Sequence, residues 1–114
     1  MLLRTELPVY NLFGLLARPG DVLGRQKWES FIEHRWLLGF DGEIAHSSGP
    51  GDVFRSGTID EVLKDGGVLR VIHPTSSLDE TYARFFHAKR LVGVPWWSMN
   101  CIDTTDFIVR STRG

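Results

Sequence analysis

One cysteine and two histidines carry the chemistry this chain could perform: Cys101, His34 and His46. A thiol attacks as its thiolate, and at neutral pH an ordinary cysteine is mostly protonated. A nucleophilic Cys101 therefore needs a base beside it and a group that holds that base. Two histidines twelve positions apart could supply both parts. The same three side chains are N and S donors of the kind zinc takes, but no close ligand pair such as Cys-x-x-Cys is present, and nucleophilic attack is the reading preferred here. The bland alternatives are a buried small hydrophobe for Cys101 and histidines satisfied by backbone carbonyls.

Whether the three can meet depends on the elements that carry them. Arg35 to Ser47 is rich in strand formers around Asp41-Gly42 and reads as a β-hairpin. Side chains alternate faces along a strand, so the loop length decides whether the histidines share one. A two-residue Asp-Gly loop would set them on opposite faces. A three-residue loop, Phe40-Asp41-Gly42 with Gly42 left-handed, pairs Gly39 with Glu43 and Trp36 with His46, and brings His34 diagonally beside His46. Cys101 opens the last apolar segment, read as a helix, where unpaired N–H groups and the helix dipole favour a thiolate. The thiol is accordingly expected to ionise below the ordinary range, with an alkylation midpoint well under pH 8.

Other elements frame these. Pro19-Gly20-Asp21 is a turn signal with a strand starting at Val22. Thr58-Ile59-Asp60-Glu61 fits a capping box ahead of a short helix to about Lys64, ended by Asp65-Gly66-Gly67. Val68 to Ile72 reads as a strand stopped by Pro74. Ser77-Leu78-Asp79-Glu80 caps a longer helix to about Leu91, with Leu78, Tyr82, Phe85, Phe86 and Lys89 tracing its apolar stripe. His73 and His87 read as surface or structural residues, and Asp103 and Asp106 as caps or solvated positions of the last helix. The sum is an α+β chain rather than a regular βαβ alternation.

The stretch Glu33-His34-Arg35-Trp36-Leu37-Leu38-Gly39-Phe40-Asp41-Gly42-Glu43-Ile44-Ala45-His46 resembles the signature of lecithin:retinol acyltransferase-like proteins. There a His-Trp/Gly-apolar-Gly-x-Asp-Gly run leads to a second His twelve positions on. Arg18-Pro19-Gly20-Asp21-Val22-Leu23 is similar to that family's Pro-Gly-Asp opening, and Asn100-Cys101 to its Asn-Cys motif. The likeness spans about residues 18 to 110 and has the permuted order His, His, Cys, whereas NlpC-type peptidases and papain place the cysteine first. It implies a permuted papain-like fold: a small antiparallel sheet packed with helices, the nucleophile at a helix start. It also implies Cys101 as nucleophile, His34 as general base, His46 as the residue orienting that base, and an acyl-enzyme intermediate. The family follows Asn-Cys with Glu-His-Phe, whereas here Ile102-Asp103-Thr104 puts a different helix face beside the thiol.

Trp36, Trp97 and Asn100 are the candidate substrate-binding residues, Trp97 as a wall of an acyl or peptide groove. The 114 residues suit one domain, residues 1–114, and no repeat or linker divides them. Thirteen Lys and Arg against fourteen Asp and Glu leave a net charge of −1, so no global field gathers the chain onto nucleic acid or anionic lipid. No stretch approaches the roughly 18 apolar residues of a membrane span, and Met1 to Ala17 reads as mature protein rather than a signal. A single cysteine excludes an internal disulfide and permits a reducing compartment, so a cytoplasmic setting is expected, in a bacterial or phage-encoded protein. No cofactor and no metal is implied, and the oligomeric state is left open. The expected function is a thiol hydrolase or acyltransferase acting on an ester, thioester or amide. The alternatives are a peptidoglycan or peptide amidase of the NlpC type, and a binding module that kept the fold and lost the activity.

Overall fold

The computed structural model describes residues 6–26, 33–64 and 68–113. The helix stop expected at Asp65-Gly66-Gly67 and the first residues of the amino-terminal segment lie outside them. Strands β1 (Tyr10–Leu12) and β2 (Leu15–Ala17) form a small hairpin. Then come β3 (Val22–Gln26), β4 (Glu33–Leu38), a 3₁₀ turn (Phe40–Gly42), β5 (Glu43–His46), β6 (Arg55–Thr58), α1 (Ile59–Lys64), β7 (Val68–His73), α2 (Leu78–Leu91) and α3 (Cys101–Arg113). Among the described residues β3 to β7 make a five-stranded antiparallel sheet in the order β6-β5-β4-β3-β7. The architecture is α+β, a small antiparallel sheet with helices.

The sheet buries both faces because its strands carry apolar residues at consecutive positions. On one face Leu23, Trp36, Leu38 and Ile44 pack with Leu12 and Ala17 of the β1–β2 hairpin and Val62 of α1. On the other, Val22 and Leu37 pack with Phe54, Ala88 of α2, and Ile108 and Val109 of α3. Trp36 and Leu38 belong to the first face and Leu37 to the second, so the even positions of β4, His34 among them, look toward α1 and the odd ones toward α2 and α3.

The Pro19-Gly20-Asp21 turn locks this sheet to α2. Gly20 has φ +91°, and a Cβ there would lie 2.6 Å from the Thr75 hydroxyl, so the position requires glycine. The buried Asp21 carboxylate accepts the N–H groups of Arg18 (2.9 Å) and Thr75 (2.6 Å). Ser77 caps α2 as expected, its hydroxyl accepting the Glu80 N–H at 3.1 Å. The expected apolar stripe of α2 is corrected: the buried residues are Thr81, Arg84 and Ala88, while Phe86 is exposed. The reason is Arg84, fully buried because its guanidinium donates to the Gly20, His73 and Pro74 carbonyls and to the Glu80 carboxylate at 2.7–3.3 Å. Pairing of this kind lets a charge enter an interior.

Candidate active site

Of the two registers open to the hairpin, the structure has the one set by a three-residue turn. Leu38 opposes Ile44 and Leu37 opposes Ala45, the Gly39 N–H donates to the Glu43 carbonyl (2.7 Å), and Asp41 and Gly42 both take positive φ in the three-residue turn. His34 and His46 consequently share a face, with His34 Nε2 3.0 Å from His46 Nδ1. The other nitrogen of His46, Nε2, lies 2.6 Å from a carboxylate oxygen of Glu61 on α1. Glu61 also receives Arg55 at 3.3 Å, and Arg55 stands directly across from His46 on β6.

Charge fixes the direction of these bonds. Burial would raise the Glu61 carboxyl, but its bonds to Arg55 and His46 outweigh that and hold it below the usual range, so it is an anion at neutral pH. Burial holds the His46 imidazole below its ordinary value despite the opposing pull of Glu61, so His46 is neutral. A carboxylate only accepts, so His46 donates from Nε2 and keeps its lone pair on Nδ1. That lone pair accepts the His34 Nε2 proton. In neutral His34 the basic nitrogen is then Nδ1, an assignment that follows from the bond network.

Cys101 is the first residue of α3, as the sequence predicts. Asn100 sits before it as the cap, its side-chain oxygen accepting the Asp103 N–H at 2.9 Å. β5 has ended before it can cover the His34 end of β4, and the start of α3 fills that place. The thiol is 3.9 Å from the Glu33 carbonyl and also meets the Arg35 N–H. These groups belong to the two peptides flanking His34. The helix is tied down farther along where Arg35 donates to Asp106 at 2.6 Å, so Asp106 is an anchor to the sheet rather than a solvated position.

The expectation of a readily ionised thiol is corrected. Cys101 is 5% exposed, and burial pushes its pKa up, against the N–H groups of Arg35, Ile102 and Cys101 itself and the Arg35 charge. At rest it is a neutral thiol. Native protein is therefore expected to show an iodoacetamide alkylation midpoint above that of the denatured chain, read from rates across pH; a native midpoint below the denatured one would contradict this. By linkage, an acid raised by folding adds stability below its unfolded pKa and loses it as pH climbs toward the folded value.

Trp36 does not line a groove: it is 1% exposed and belongs to the core, its ring meeting the His34 ring edge-on with centroids 4.6 Å apart. Burial of so large an apolar surface outweighs exposure to a ligand at that position. Asn100 is likewise engaged as a helix cap. Trp97 is 79% exposed in the loop four residues before the thiol. His73 is half-buried, 3.4 Å from the Asp106 carboxylate. Glu61 is the site residue that the sequence reading missed, because three positions after Thr58 it has the spacing of a helix cap. Among the described residues no group of three or more His, Cys, Asp or Glu side chains is arranged to hold a metal ion, and no helix is long and apolar enough to cross a membrane.

No protein-family model matches this chain, and no curated protein matches it.

Proposed function

We propose that this chain is a cysteine-dependent acyl hydrolase or acyltransferase of the permuted papain-like class, similar to the lecithin:retinol acyltransferase-like proteins. The observation that carries the reading is the aligned run Glu61–His46–His34, together with a thiol at a helix start whose sulfur meets the backbone of the two peptides flanking His34. A substrate carbonyl enters as an ester, thioester or amide. His34 Nδ1 takes the thiol proton as sulfur bonds to the carbonyl carbon, and the N–H groups that face the sulfur at the start of α3 are donors for the oxyanion. The leaving group departs with the proton from His34, giving acyl-Cys101. Water or another acceptor then loses a proton to His34, attacks the thioester, and restores the thiol.

His46 and Glu61 hold the His34 ring and its tautomer, the part a third residue plays in any such triad. No step requires a cofactor. A free thiol suits a cytoplasmic setting. The amidase reading uses the same steps with an amide leaving group.

The reading of an inert binding module draws on the changed residues after Cys101 and on the burial of the sulfur. Intact-mass spectrometry after incubation with 4-nitrophenyl butyrate, an acyl thioester and a muropeptide separates the readings. The expected result is a mass gain equal to one acyl group on the peptide containing Cys101, and the donor that yields product identifies the substrate type. An unmodified Cys101 with every donor would leave the inert module standing.

A further inference from the structure

Arg25 lies on β3 directly across from His34, so the two side chains share a face of the sheet at the separation of a cross-strand pair. Leu69 of β7 flanks it on the other side. Arg25 is 5% exposed, and its Nε is sealed from solvent without a hydrogen-bond partner. Among the described residues no carboxylate or carbonyl receives its guanidinium. Arg84 Nε is buried without a hydrogen bond in the same way, but its guanidinium holds Glu80, as Arg35 and Arg70 share Glu33, Arg35 also reaches Asp106 and Arg55 holds Glu61.

A buried guanidinium N–H with no partner among the described residues is a costly state, relieved when an anion completes it. The planar guanidinium suits two oxygens of one oxyanion. The face that carries His34 thus carries, one strand away, a buried guanidinium whose Nε–H has no partner among the described residues.

We propose that Arg25 is the recognition site for an anionic oxygen group, carboxylate or phosphate, on the substrate processed at Cys101. The proposal rests on the acyl-transfer reading for the word substrate, while the anion site itself stands on the position and burial of Arg25. With a net charge of −1 the chain offers no overall attraction to anions, so any such preference is local.

The test compares mono-4-nitrophenyl glutarate, an ester with a free carboxylate, with neutral 4-nitrophenyl butyrate. A second measurement asks whether succinate or inorganic phosphate protects Cys101 from iodoacetamide. Wild-type protein is expected to favour the glutarate ester at least tenfold in kcat/KM and to be protected by one of the anions, the more effective one identifying the group as carboxylate or phosphate. Arg25→Gln should abolish preference and protection alike, and Arg25→Lys should retain part of both. Turnover of both esters without preference, and without protection, would overturn the Arg25 site and leave the acyl-transfer reading intact. Protection that depends on Arg25 without turnover of either ester would keep the anion site and remove the acyl-transfer reading. Should Arg25→Gln fail to fold, the wild-type ester ratio and protection decide the matter, with Arg25→Lys as the folded comparison.

Discussion

Replacing Cys101 with serine is expected to lower kcat/KM for the best acyl donor by at least about 10⁴-fold, and replacing His34 with alanine by about 10³-fold. The hydroxyl nearly matches the thiol in size, so the packing of α3 survives while the nucleophile is lost. The His34 effect follows from the resting state of the sulfur. A thiol whose pKa is raised by burial holds little thiolate at neutral pH, so attack depends on a base that removes the proton as the S–C bond forms. A pre-formed thiolate would make His34 less important for acylation, which is why the size of this loss reports on the mechanism.

The two residues act in one step, so their effects should not add. The double variant is expected to be no slower than Cys101→Ser alone, within a factor of about three. Stopped-flow measurement of nitrophenolate release, with circular dichroism to establish folding, supplies the numbers. A Cys101→Ser protein retaining a tenth of wild-type activity would place the nucleophile elsewhere. A His34→Ala protein slowed less than tenfold would remove His34 as the base.

Much of the positioning scaffold was legible because it is written in local rules. Asp41-Gly42 marks the hairpin turn and leaves two loop lengths, one of which gives the shared face of His34 and His46; the capped start of α2 follows from Ser77, and the start of α3 is read at Cys101. What escaped depends on partners distant in the chain. β1 and β2 are three residues each, too short for a period to show, and their turn puts Phe13 as well as Gly14 at positive φ. β6, Arg-Ser-Gly-Thr, is an edge strand without apolar alternation. Arg25 and Arg84 are charges in the interior, and a pattern that assigns charge to the outside turns α2 the wrong way. Glu61 obeyed a capping rule by spacing while its carboxylate served His46, a residue reached only once β5, β6 and α1 are folded together.

Glu61 gives the second large effect: Glu61→Gln is expected to lower kcat/KM about 10³-fold although the residue touches neither the thiol nor the base. Glutamine fits the same space but carries an amide that can donate. Turned toward His46 Nε2, that amide makes Nε2 an acceptor and moves the His46 proton to Nδ1, which then donates to His34 Nε2. Neutral His34 must in turn carry its proton on Nδ1, the nitrogen that has to receive the thiol proton, and the wrong tautomer blocks the step. The pH profile separates this from simple loosening of the fold. Glu61 favours positive charge on His46, so removing its charge makes protonation of the hydrogen-bonded His46–His34 pair less favourable, and the acid limb of kcat/KM, which reports loss of the base, should move to lower pH as the plateau falls. Glu61→Asp keeps the anion and should recover part of the plateau. A Glu61→Gln protein with both plateau and limb unchanged would reduce Glu61 to a tether for Arg55 and leave His46 alone to orient the base.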